Sequence, residues 1–175
     1  PGDNVVVSLM EHHANFIPWQ MLCQANQAQL RVVPVDESGE LNLEEFNAQI
    51  DSRTALVAIV HVSNTLGTIN PIHEIVRMAH QKEVPVLVDA AQSAALYPLD
   101  LSELDCDFLV CSAHKMFGPF GVGVLYVHPR YHRGIGPCPR RGGPHGRHGS
   151  TSNSGGPYPD RSGNQSGGRL SRKQR

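Results

Sequence analysis

The chain has 175 residues, 15 Lys and Arg against 16 Asp and Glu, and 39% hydrophobic residues, the make-up of one soluble globular domain of ordinary size. No run approaches the roughly eighteen apolar residues that a membrane-spanning helix needs, and no charged-then-apolar leader opens the chain. The near-zero net charge hides an asymmetry: up to Val127 there are 5 basic and 15 acidic residues, whereas His128 to Arg175 holds 10 basic residues and a single acid, Asp160.

The first element expected is a strand over "VVVSL", entered from a turn at Pro1-Gly2, and a chain that opens on such a turn is expected to follow further sequence. Helical spacing over "NFIPWQMLCQANQ" comes next, then a strand over "LRVVPV". "NLEEFNAQI" predicts a short helix with Asn42 as its N-cap, and "TALVAIVHV" a strand. "PIHEIVRMAHQKE" predicts a helix with Pro71 in its first turn and Ile72, Ile75, Val76 and Ala79 on one face. Three further strands follow over "VPVLVDA", "FLVCSA" and "GVGVLYV". Unbroken apolar strands alternating with helices imply βαβ units, so the fold class is α/β with a mostly parallel sheet flanked by helices.

After Val127 this pattern stops. Residues 128–175 are dominated by Gly, Pro, Arg, Ser and His and cannot bury enough apolar surface to offset the entropy of ordering, which predicts a disordered basic tail after a domain spanning 1–127. The four cysteines form no C-x-x-C pair and no zinc-like spacing, so no metal site is expected. Cys23, Cys106 and Cys111 are read as core residues, Cys138 falls in the tail, and a reducing, cytoplasmic compartment is expected.

In parallel sheets ligands collect at the carboxyl ends of the strands. The polar residues there are His12 after "VVVSLME", Asn64 after "VAIVHVS", Asp89 and Gln92 in "VLVDAAQ", and Ser112, His114 and Lys115 in "VCSAHK". Each taken alone has an ordinary reading: His12 as a surface residue, Asn64 as a turn former, Asp89 as a helix cap, Lys115 as a solvent contact. Taken together they suit pyridoxal 5'-phosphate. A lysine holds this cofactor as a Schiff base, and a carboxylate facing the pyridine nitrogen keeps it protonated, so that the ring accepts electrons from a carbanion. Lys115 and Asp89 are the residues for these roles.

The stretches "MEHHAN", "HVSNTLGTINP", "VLVDAAQS" and "DFLVCSAHKMFGPFGVGVLYV" closely resemble the class V aminotransferase family of fold-type I pyridoxal phosphate enzymes, and within it the cysteine desulfurases and selenocysteine lyases. The resemblance runs from about Gly2 to Val127 and implies a central slice of the large, cofactor-binding domain. It implies that Lys115 carries the cofactor, that Asp89 pairs with the pyridinium nitrogen, and that His12 stacks on the ring and takes part in proton transfer. Asn64 and Gln92 would lie near the phenolic oxygen, Ser112 and His114 at the phosphate. The implied reaction converts L-cysteine to L-alanine and leaves the sulfur as a persulfide on an enzyme cysteine, supplying iron–sulfur cluster assembly through a protein acceptor, in a homodimer. L-Selenocysteine is the alternative substrate, and another class V chemistry a further alternative.

The sequence departs from the family pattern in three respects. The attacking cysteine lies far downstream of the lysine, and none of the four cysteines here matches it. The phosphate-binding Gly/Thr loop and the carboxylate-binding arginine of the small domain are also unmatched. These departures lead to the expectation of a fragment that is inactive by itself, or of a non-catalytic truncated product. The tail is read as out-of-frame translation rather than as a nucleic-acid-binding extension, because it carries almost no aromatic residues to stack bases.

Overall fold

Val5, Val6 and Val7 follow one another without a polar break because both faces of their strand are covered. In the computed structural model they form the centre of β1 (Asn4–Ser8), and all are buried. The structure describes residues 1–134. After β1 come α1 (Ile17–Asn26), β2 (Gln29–Val33), α2 (Leu43–Gln49), β3 (Thr54–Val60), α3 (Ile72–His80), β4 (Val86–Asp89), α4 (Leu101–Leu104), β5 (Phe108–Ser112) and β6 (Gly123–Val127). Short 3₁₀ turns span His13–Asn15, Ala113–Met116 and Pro129–Gly134.

Local chemistry sets the helix ends. Asn42 Oδ1 accepts from the backbone N–H groups of Glu44 and Glu45, both at 3.0 Å, which satisfies two orphan donors at the start of α2. Pro71 stands immediately before α3, one position earlier than a first-turn proline, and Ile72, Ile75, Val76 and Ala79 are all buried as the spacing requires. α1 stops where Gln27 turns left-handed, at φ 54°, and its N–H returns to Cys23 O. α4 has no counterpart among the predicted elements. It is a single turn capped by Asp100, whose Oδ1 accepts from Ser102 N at 2.8 Å, too short to show a period.

The six strands form one sheet in the order β2-β1-β3-β4-β5-β6. The first five run parallel, and β6 lies antiparallel to β5. The chain leaves β1 toward β2 and returns past it to β3, so the order reverses between β1 and β3, where such sheets open a crevice. Phe46, Ile72, Ile75, Val76, Ala79 and Leu104 pack with Val6, Val57, Ile59, Val86 and Val88 in the larger core. Cys23, Phe16 and Trp19 gather with Val5, Val7 and Ala58 in a smaller one. Two of the cysteines read as core residues, Cys23 and Cys106, are buried; the third, Cys111, is only partly so.

The described chain continues beyond Val127. His128 N donates to Asp107 O at 2.8 Å, and the Tyr131 ring lies 5.0 Å from that of Phe108. Asp107 is wholly buried. Its Oδ2 accepts from Val86 N at 2.7 Å and lies 2.8 Å from His80 Nε2, while Arg130 reaches Oδ1 at 2.7 Å as an ion pair without hydrogen-bond alignment. The first residues of the predicted tail are thus anchored on the sheet. The rest of it, residues 135–175 with Cys138, lies outside the described residues.

Phe46, fully buried, and Phe120, 88% exposed, make a matched pair for testing this core. Phe46→Ala is expected to cost about 3–5 kcal/mol of unfolding free energy in denaturant titrations, and Phe120→Ala less than about 0.5 kcal/mol. Equal losses would contradict the packing described.

Candidate functional site

Parallel strands end on the same edge, so β1, β3, β4 and β5 deliver their following loops to one place. A cavity of about 420 Å³ opens there. It is lined by His12, Asn64, Asp89, Gln92, Ser112, His114 and Lys115, so all seven residues picked from the sequence come together around a single space. His12 follows β1, Asn64 follows β3, Asp89 ends β4, and Ser112 ends β5 just before the turn that carries His114 and Lys115.

Each side chain is held by local structure. His12 caps the turn His13–Asn15 with Nδ1, which accepts from Ala14 N at 3.1 Å, so the neutral ring carries its proton on Nε2. Asn64 stands in a tight turn closed by Gly67 N to Ser63 O at 3.1 Å, and Gly67 takes φ 77°, where a side chain would be strained. Asp89 is 6% exposed. Its Oδ1 accepts from Ala91 N at 2.9 Å, and its Oδ2 has no protein partner among the described residues. Gln92 lies one residue beyond Ala91 and is half-buried.

The Lys115 turn is built by close packing. A Cβ on Gly118 would come within 3.0 Å of both Ala113 Cβ and Ala113 O, so only glycine lets the chain double back there. The His114 ring stacks on Phe120 at 5.3 Å between centroids. Lys115 is half-buried and makes no ion pair or hydrogen bond among the described residues. A cavity that places an unpaired amine and a half-satisfied buried carboxylate together can hold a ligand with a carbonyl and a basic ring nitrogen.

Several lining residues were not picked from the sequence. Asn15 and Trp19 form one wall, and Cys111 lines the cavity at the end of β5. Beneath them lies Glu11, whose carboxylate accepts from Ser8 Oγ at 2.6 Å, Asn15 Nδ2 at 2.6 Å and Val60 N at 3.0 Å. Burial, reinforced by the charge of Asp89, raises its pKa from the ordinary 4.5 to about 7 against the lowering effect of these three donors. Glu11 is part of "MEHHAN", but no spacing signals that it is enclosed, because Val60, whose N–H donates to its carboxylate, is 49 residues away.

Comparison with known proteins agrees with this geometry. The family model for "Aminotransferase class-V" matches residues 1–152. The chain belongs to the aminotransferase class-V family. The match continues past Val127 into the segment whose first residues are anchored at Asp107. This class-V chain is 56% identical over 126 residues to a cysteine desulfurase of Enterobacter sp. (strain 638), covering 72% of this chain and 31% of that protein. It is 54% identical over 126 residues to one of Shigella sonnei (strain Ss046), again covering 72% and 31%. The chain therefore spans about a third of the length of the curated relatives it matches.

Among solved structures, the Escherichia coli cysteine desulfurase CsdA in its S-sulfonic acid form superposes with a TM-score of 0.70 at 36% identity, covering 73% of this chain and 32% of that one. The apo cysteine desulfurase of Thermococcus onnurineus NA1 gives 0.69 at 36% identity, covering 75% and 33%. The mostly parallel sheet of this class-V chain thus matches the cysteine desulfurase fold.

The Glu11 carboxyl leaves a signature in stability. Between pH 4.5 and 7 the folded chain holds a proton that the unfolded chain has released, so stability falls as pH rises through that window, by ~3 kcal/mol in all. Denaturant titrations at pH values on either side of this window are expected to show wild type losing that stability relative to Glu11→Gln; identical pH dependence in the two chains would contradict it.

Proposed function

We propose that the cavity binds pyridoxal 5'-phosphate and that the chain is the cofactor-binding portion of a cysteine desulfurase, which takes sulfur from L-cysteine and leaves L-alanine. The observation that carries this reading is the gathering of Lys115 and Asp89 on one cavity, each with an atom free of protein partners among the described residues, together with family membership. The residues present fit the group. Lys115 supplies the amine that would hold its aldehyde carbon, Asp89 Oδ2 the acceptor for a protonated ring nitrogen, and Ser112 and His114 polar groups for the phosphate. Asn64 and Gln92 would face the phenolic oxygen.

When bound, pyridoxal phosphate supplies an electron-accepting ring that stabilises negative charge at the substrate's α-carbon. The chain's own residues then position and move protons. Asp89, anchored at Ala91 N, presents its free carboxyl oxygen at the buried end of the cavity. His12 is oriented by its cap, so its Nε2 is the atom available to donate or receive a proton, and its ring is available for stacking. Lys115 Nζ, paired with no carboxylate among the described residues, is the second proton carrier of the set.

The substrate class is a small amino acid, L-cysteine or its selenium analogue. The resemblance assigns the sulfur-accepting nucleophile to a downstream cysteine; Cys23 and Cys106 are enclosed in the core. A second subunit and a protein sulfur acceptor belong to the same reading, supported by the almost wholly exposed Phe117 and Phe120 beside the Lys115 turn. A cytoplasmic setting is supported by the free state of Cys23, Cys106 and Cys111; no helix among the described residues is long and apolar enough to cross a membrane.

Mixing the chain with pyridoxal phosphate is expected to produce the visible absorption of the lysine-bound cofactor. Lys115→Ala should abolish it, and Asp89→Asn should weaken binding about tenfold or more through loss of a charge-assisted hydrogen bond. A band that survives Lys115→Ala would overturn the assignment.

A further inference from the structure

Glu11 does not line the cavity, yet two of its three hydrogen-bond partners, Val60 and Asn15, do. Its Oε1 receives Ser8 Oγ from the end of β1 and Val60 N from the end of β3, and its Oε2 receives Asn15 Nδ2. Asn15 is buried, and its Oδ1 accepts from Trp19 Nε1 at 3.1 Å. One carboxyl thus spans the point where the strand order reverses and continues through Asn15 to the indole on the cavity wall.

We propose that Glu11 is a positioning residue of the cavity, tying the ends of β1 and β3 to Asn15, and that its proton decides whether Asn15 holds the Trp19 indole. For what the cavity positions, this rests on the pyridoxal phosphate reading; the network itself is the chain's own. Donors and acceptors around Glu11 balance in only one of its two protonation states. As a carboxylate, Glu11 accepts from all three donors and every partner is satisfied. As an acid, it must donate from one oxygen.

If Oε2 carries the proton, Asn15 has to turn its amide to accept it, which presents an NH₂ group to the Trp19 N–H and breaks that bond. If Oε1 carries it, the Ser8 hydroxyl must accept, and its own proton is left without an acceptor in a fully buried site. Removing the Ser8 hydroxyl closes the second route.

The charges around Glu11 set where the change occurs. From β4, Asp89 opposes loss of the proton. On its own loop, His12 and His13 follow directly. From β3, His61 comes after Val60, with its ring 6.3 Å from that of Tyr97. β1 and α1 carry no charged residue, and no lysine or arginine pairs with Glu11 among the described residues.

Trp19 is the sole tryptophan of the chain and reports the network directly. The experiment follows Trp19 emission of the 175-residue chain, without cofactor, across neutral pH. Wild type is expected to show a titration step. Glu11→Gln, with its fold checked by circular dichroism, should remove the step, and Ser8→Ala should move its midpoint to higher pH because the carboxylate has lost a donor. A step that persists in Glu11→Gln overturns the proposal.

Should Glu11→Gln fail to fold, the Ser8→Ala midpoint decides alone: a shift upward supports the proposal and no shift overturns it. The cofactor reading fails separately, through absence of a Lys115-dependent absorption band, which leaves the emission titration unaffected.

Discussion

The site depends on the register of the parallel ladder. β3 pairs with β4 so that Val60 lies beside Asp89, and β4 pairs with β5 so that Asp89 lies beside Val110. His61 N closes on Asp89 O at 2.9 Å and Ala90 N on Val110 O at 2.8 Å, which holds the last residue of β4 from both sides. Asp89 is therefore fixed at the bottom of the cavity by backbone bonds before its side chain does anything. A slip of one residue would turn its carboxylate to the other face of the sheet and bring an apolar side chain into its place. Placement of His12, Asn64 and the Lys115 turn follows from the same ladder, because each begins where its strand runs out.

Burying carboxylates at the edge of an apolar sheet carries a desolvation cost, and the fold meets it in two ways. Asp107, under β4 and β5, is surrounded by Val86 N, the His80 ring and the Arg130 guanidinium, so a cation, an imidazole and a backbone donor meet its carboxylate. That cluster is structural: it fastens the turn after β6 to the sheet. Glu11 sits at the opposite end of the strands and has only neutral donors. Its charge is compensated less fully, and its pKa rises as a result. The difference separates an acid that holds the fold together from one that responds to pH beside the cavity.

Much of this was legible in the sequence. All six strands and the three longer helices lie where apolar runs, the Asn42 cap and the Ile72-Ile75-Val76-Ala79 spacing put them. The seven candidate residues could be picked out because parallel strands deliver their loops to one edge, a rule that needs no coordinates. Glu11, Asn15 and Trp19 were not legible as a group, since their connection to Val60 depends on which strand lies next to β1. α4 and the anchoring of His128 and Arg130 at Asp107 were missed for a similar reason. One turn of helix has no period, and a Gly- and Arg-rich composition says nothing of a single arginine with a buried partner.

The proposed role of Lys115 is to attach the ligand on which the strand ends converge. The chain has three lysines, Lys82, Lys115 and Lys173, and this makes a direct measurement possible. Incubation with pyridoxal phosphate, borohydride reduction to make any lysine attachment permanent, and peptide mass mapping report which amine was used. The phosphopyridoxyl mass is expected on the peptide containing Lys115 at a cofactor concentration that leaves Lys82 and Lys173 unmodified. Modification spread evenly over the three lysines, or absent from Lys115, would contradict it.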